Sequence, residues 1–140
     1  MFIKQLSIFV ENKTGRLQSI VDALSEKNIN ISALSIADTT EFGILRLIVN
    51  DAEAAREALR DVGVISKITD VIAVRIDDRA GGLADVLKIV SSCGIDVEYM
   101  YAFLGRKHGH ALMVLKAADP EAAESALSKH GVTVAGPEDI

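Results

Sequence analysis

"LSIFVENKTGRLQSIVDALSEKNINI" spans residues 6–31, and "VRIDDRAGGLADVLKIVSSCGIDV" spans residues 74–97. Both read as a strand, a tight turn closed by glycine, and an amphipathic helix. In the first stretch Leu6, Ile8 and Val10 recur with a period of two, the pattern of a strand covered on one face. Phe9 breaks the alternation, as in a strand partly covered on its second face. After "ENKTG" (11–15), Leu17, Ile20, Val21 and Leu24 fall on one helical face. In the second stretch "DDRAG" (77–81) leads into Leu83, Val86, Leu87 and Val90 at helical spacing.

Working outward, the whole chain repeats. A shift of 66 residues sets Gly15 on Gly81, Leu17 on Leu83, Ile29 on Ile95, Ile31 on Val97 and Gly43 on Gly109. Beyond about residue 50 a shift of 68 fits better: Asp51 meets Asp119, Ala55 meets Ala123, Leu59 meets Leu127, and "VGV" (62–64) meets "HGV" (130–132). Such self-similarity marks two copies of one supersecondary unit, with domains at 1–70 and 71–140.

Each unit continues alike. "INISALSIADTTEFGILRLIV" (29–49) reads as two antiparallel strands around a turn near "DTTEFG", and "IDVEYMYAFL" and "HALMVLKA" flank a turn at "GRKHG". A second helix follows in each unit. Asp51 is a cap for "DAEAAREALRDVG", with Gly63 as its stop. Asp119 caps "DPEAAESALSKHG", with Pro120 at the first helical position and Glu121 near the positive helix end. "VISKI" and "VTVAG" supply closing strands. The order β-α-β-β-α-β is the ferredoxin-like unit, an α+β fold with two helices on one face of a four-stranded sheet. "KITDVIAV" offers no flexible linker, so the units are expected to pack together.

Composition narrows the function. The 140 residues are 49% apolar with a formal net charge of −5. There is no basic tail, Lys/Arg cluster or aromatic ladder, which argues against a nucleic-acid partner. No run reaches the length of a membrane span, and the N-terminus lacks the features of a signal peptide. The lone Cys93 makes no internal disulfide and reads as a small buried or half-buried residue. A cytoplasmic protein without cofactors is the expectation. His108 and His110 would share one strand face, and His130 ends a helix, but no ligand set converges for a metal. Asp38, Glu41, Asp77, Asp78 and Glu98 supply acids without a nucleophile–base pair or paired-carboxylate spacing, so no enzyme is expected.

The strand–turn–helix motif, with Asn12 or Asp78, two intervening residues, Gly15 or Gly81, and then a leucine within the helix start, resembles the ACT domain. "FGILRLIV" and "HGHALMVL" resemble that family's third strand, and the likeness covers the chain as a tandem pair. The resemblance implies two ACT domains with sheets side by side. It also implies an amino acid bound at inter-domain clefts near the first turn, and a role in regulating amino-acid metabolism as a homodimer or with an enzyme partner. It places Asn12, Gly15 and Leu17 in one site and Asp78, Gly81 and Leu83 in the other.

The residues themselves leave alternatives. Helix-start amides and glycine backbone suit a carboxylate. Asn12 can donate and accept, whereas ionised Asp78 suits an ammonium and repels a carboxylate. Equally, both can cap turns. Arg16 either clamps a carboxylate or lies on the surface, and Gly82 offers a further bare amide. "SALSIAD" (32–38), rich in small residues, can form a second wall. At the same repeat positions Tyr99, Met100, Tyr101 and Phe103 pack a core or domain interface. A sensor of free amino acids and a ligand-free interaction module are the two functional classes. The differing turn chemistry points to one dominant site.

Overall fold

The structure is a computed structural model in which residues 1–38, 42–107 and 109–140 are described. Its elements run β1 (Ile3–Glu11), α1 (Arg16–Glu26), β2 (Ile31–Asp38), β3 (Phe42–Val49), α2 (Ala52–Asp61), β4 (Ser66–Asp77), α3 (Gly82–Ser92), β5 (Val97–Lys107), β6 (His110–Ala117), α4 (Pro120–Lys129) and β7 (Val134–Ala135). A short 3-10 turn, Pro137–Asp139, follows. These are two ferredoxin-like βαββαβ repeats, and the expected α+β class holds. The two short strands read around "KITDVIAV" are one 12-residue strand, β4, because no glycine or proline interrupts the extended run.

The chain forms two compact units, Lys4–Thr69 and Met1–Ile3 with Asp70–Ile140. In the first, β3 pairs antiparallel with both β1 and β2. Leu6, Ile8, Leu45 and Leu47 face Ile20, Leu24 and Leu59 of the helices, and Ile68 of β4 packs against this core. In the second, β6 pairs antiparallel with β4 and β5, and β7 borders β4. Ile72, Val74 and Leu115 meet Val86, Val90 and Leu127. Phe2 packs against that second core, and the Met1 amino group pairs with the Glu124 carboxylate.

The helix faces depart from the periodic reading at their first turns, and Val21 and Leu87 are half-buried rather than buried. Ile20, Ala23 and Leu24 are buried in α1, but Leu17 is 36% exposed; Val86 and Val90 are buried in α3, but Leu83 is 39% exposed. Both leucines sit in the first turn of their helix. Cys93 is exposed rather than buried, because α3 ends there and Cys93 serves as its C-cap. Phe42 and Gly43 belong to β3 and Gly105 to β5, so these strands extend further than the sequence suggests. Residues 39–41 and His108, which carry part of both expected turns, lie outside the described residues, as does the side chain of Asp38.

The change of repeat shift also has a physical location. In the first unit Ile36 faces Leu45 and Asp38 faces Gly43. In the second, Ala102 faces Met113, but Arg106 already faces Ala111. Two extra residues are taken up by this irregularity in β5. Since Val10 faces Gly43 and Ile76 faces Ala111, the counterpart of Gly43 is Ala111, not Gly109.

The second helices are capped as their sequences indicate. The Asp51 carboxylate accepts from the Ala54 amide at 3.0 Å and the Asp119 carboxylate from the Ala122 amide at 3.1 Å. Each satisfies one otherwise unpaired first-turn donor. Asp51→Ala and Asp119→Ala should each lower unfolding free energy by about 1 kcal/mol in urea titrations.

Candidate functional site

The two strand-to-helix corners share one backbone path. The Lys13 amide donates to the Glu11 carbonyl at 2.8 Å, and the Arg79 amide to the Asp77 carbonyl at 2.9 Å. The Arg16 amide reaches the Lys13 carbonyl and the Gly82 amide the Arg79 carbonyl. Gly15 and Gly81 then turn the chain into its helix with φ of 83° and 87°. A Cβ is disfavoured at such angles, so glycine is what lets the turn close. Unlike α2 and α4, neither α1 nor α3 has a side-chain cap. In α1 the Leu17 and Gln18 amides have no intrahelical acceptor, and in α3 the same holds for Leu83 and Ala84.

At the first corner a cavity of about 260 Å³ opens between the end of the sheet and the first turn of α1. Val10 and Gly43 lie on the sheet side, Ile36 on the neighbouring strand, Leu17 on the helix, and Glu11, Asn12 and Lys13 on the turn. Lys13 Nζ lies 2.9 Å from Glu11 Oε2, both exposed. The hydrogen bond from Lys13, and then its positive charge, hold the Glu11 carboxyl below the usual glutamate range. A carboxyl depressed in the folded state favours folding at neutral pH, and that contribution is lost as pH falls through its folded pKa. NMR titration should place the Glu11 midpoint below the ordinary glutamate value, and Lys13→Ala should return it there. No acidic residue occupies the first turn of α1, so no side-chain charge in that turn opposes an incoming carboxylate.

The second corner carries an exposed cluster of ion pairs. Arg79 Nη2 lies 2.6 Å from Asp85 Oδ2, and Arg79 Nε lies 3.7 Å from Asp77. Asp85 already sets a negative charge in the first turn of α3, where a ligand carboxylate would otherwise be favoured. Gly82 is buried, and a Cβ on it would come within 2.1 Å of the Asp77 carbonyl oxygen. The glycine serves close packing of helix on strand. Its amide is engaged with Arg79, so it is not the bare amide expected from the sequence. The cavity nearby, about 310 Å³, lies between α3 and Gly131–Thr133 and is walled by Arg75, Asp77, Asp85 and Val86. Arg75 also lies 2.9 Å from His110 Nδ1.

Of the residues singled out by sequence, Asn12 and Leu17 line the first cavity. Gly15 shapes its turn, and Arg16, half-buried, is not in its wall. In the second unit Gly82 lines the 310 Å³ cavity, and Asp78, Gly81 and Leu83 are not in its wall. The Asp78 amide donates to the Gly109 carbonyl. The sequence does not single out Val10, Glu11, Lys13, Ile36 or Gly43 as site residues. Ile36 lies within the second wall suggested by "SALSIAD", but Gly43 reaches the cavity only through strand register, which periodicity does not report. Tyr99 and Tyr101 stack with centroids 6.4 Å apart, and Tyr101 is buried. His130 Nδ1 donates to the Ala126 carbonyl at 2.8 Å, ending α4. Among the described residues, no three His, Cys, Asp or Glu side chains come together as a metal site. None of the described helices is long and apolar enough to cross a membrane.

Comparison with known proteins agrees with this architecture. The chain is similar to protein BT0572 from Bacteroides thetaiotaomicron, at 39% identity and a TM-score of 0.93 over 99% of this chain and 95% of that one. It is also similar to the regulatory subunit of aspartate kinase from Thermus thermophilus in its ligand-free form, at 20% identity, a TM-score of 0.68 and coverage of 91% and 92%. The corresponding subunit from Thermus flavus gives 21% identity, a TM-score of 0.62 and coverage of 90% of each chain. At the latter two identities the likeness is one of fold. No curated protein matches. A family model described as an ACT domain pair matches residues 1–136, and the chain, with its two βαββαβ repeats, belongs to the ACT domain-pair family.

Proposed function

We propose that this protein is a regulatory sensor that binds a free amino acid at its first corner and does no bond-making chemistry. The two ACT domains are taken as residues 1–70 and 71–140. The observation that carries the reading is the contrast between the corners. The first has a cavity beside Asn12, with an uncapped helix start free of acidic residues. The second sets the Asp85 carboxylate, paired with Arg79, in the first turn of its helix. The Asn12 amide group can hold a ligand's carboxylate or ammonium, and the Leu17 and Gln18 amides can add to the carboxylate's cradle. The fold shared with regulatory subunits of aspartate kinase supports a regulatory role. In this reading the protein is cytoplasmic and homodimeric, and it acts on an enzyme of amino-acid metabolism by favouring one arrangement over another when ligand binds.

Thermal unfolding with each proteinogenic amino acid at millimolar concentration tests the reading. At least one should raise the Tm by several degrees, since a ligand selective for the folded state stabilises it. Asn12→Ala should reduce that rise. No shift with any amino acid would count against a sensor. Native mass spectrometry reports both oligomeric state and retained ligand.

A second reading draws on the outer face of the first unit. Phe9 is 76% and Phe42 46% exposed, and Phe9 lies opposite Ile44 on the neighbouring strand. Exposed aromatics grouped in this way suit a protein partner. Recovery of one stoichiometric partner without any small ligand would favour an interaction module.

A further inference from the structure

We propose that the first corner selects amino acids with an uncharged aliphatic side chain. This rests on the sensor reading above and names its ligand class. The wall facing the cavity from the sheet and helix is apolar. Val10 faces Gly43 across the strand pair, Ile36 stands on the next strand, and Leu17 closes over them from α1. Ile36 is 51% exposed and Leu17 36%. Both are aliphatic side chains left open beside a cavity rather than covered by the core. Gly43 is what makes the depth. It sits inside a strand, and a Cβ there would stand 3.3 Å from the Ala37 carbonyl oxygen and 3.5 Å from Ile36 Cγ1. Any larger residue would occupy part of the space a ligand side chain needs.

The charges at the site lie on its turn side. Lys13 and Glu11 satisfy each other at 2.9 Å. An ionised ligand side chain reaching the Val10–Ile36–Leu17 wall would lose water without gaining a partner of its own. An aliphatic one would cover Leu17 and Ile36 and gain affinity with each carbon buried. In the second unit the register sets Ala111 at the position of Gly43 and Ala102 at that of Ile36. That corner therefore has a Cβ in the floor and a smaller apolar wall. The preference belongs to the first corner alone.

Titration calorimetry of the full chain with glycine, alanine, valine, leucine, lysine and aspartate tests the proposal. Affinity should climb along glycine, alanine, valine and leucine, by up to about fourfold per carbon buried, with lysine and aspartate weakest. Ile36→Asp, at an exposed position, should flatten that series. Should Ile36→Asp fail to fold, Leu17→Ser is the second variant, with the same expectation. Lysine or aspartate binding as tightly as leucine, with binding still weakened by Asn12→Ala, would overturn the aliphatic class and leave the sensor standing. Affinity independent of chain length would do the same. Absence of binding by all six would overturn the aliphatic class, and absence of a thermal shift with every proteinogenic amino acid would remove the sensor reading as well.

Discussion

Gly82→Val is expected to destabilise the second unit by about 3 kcal/mol, while Arg16→Gly at the matching position of the first unit changes stability by about 1 kcal/mol or less. The reason lies in the two corners. Gly82 starts α3 with its backbone pressed on the end of β4, and a Cβ would stand 2.1 Å from the Asp77 carbonyl oxygen. That neighbour is backbone, so it cannot swing aside as a side chain would. Relief requires moving the start of α3, which carries Val86 and Val90 in the core. Overpacking of this kind costs about 1–3 kcal/mol and sometimes more, and the branched side chain adds to it. Arg16 carries a Cβ at the equivalent position, so the first corner already has the room. Urea unfolding, with circular dichroism as the signal, measures both. A Gly82→Val protein as stable as the parent would show that α3 shifts freely on β4. Gly81→Ala is a different test. Its Cβ would stand 3.6 Å from the Arg79 guanidinium, an ordinary contact, and only the φ of 87° resists it. A cost of about 1–2 kcal/mol is expected.

Leu59→Ala and Leu127→Ala should each cost about 3 kcal/mol, and the two costs should be similar. These leucines occupy the same place in the two repeats, one helical turn after Ala55 and Ala123. Both are fully buried. Leu59 packs with Leu6, Ile20 and Leu45 in one core, and Leu127 with Ile72, Val86 and Leu115 in the other. Removing three side-chain carbons loses their transfer free energy and leaves a cavity that the neighbours only partly fill. Paired measurements of unfolding free energy would check this. A loss below 1 kcal/mol at either position would mean that its core collapses around the truncated side chain.

Much of this was legible because it is local. The alternation of Leu6, Ile8 and Val10 marks a covered strand wherever the strand ends up. Asp51 and Asp119 cap the helices that follow them, since capping needs only the next three residues. Gly15 and Gly81 announce turns because few other residues accept their φ. What misled was equally specific. Leu17 and Leu83 satisfy helical periodicity, yet periodicity says which side faces inward and not how far along the helix the core extends. Gly43 corresponds to Gly109 by letter, whereas pairing with Val10 and Ile76 assigns Ala111. Cys93 looked buried by residue type, but its position at a helix end leaves it in solvent.

By itself the sequence determined a doubled βαββαβ chain, the caps of its second helices, and two glycine corners of unlike chemistry. Only the tertiary structure decided what those corners are. Strand register brings Gly43 beside Val10 and Ile36, leaving a cavity under Leu17 at the first corner. At the second, Arg79 pairs with an Asp85 carboxylate in the first turn of α3, and Gly82 leaves no room for a Cβ against the Asp77 carbonyl. Such differences arise from distances between residues far apart in the chain, which local patterns of sequence do not encode.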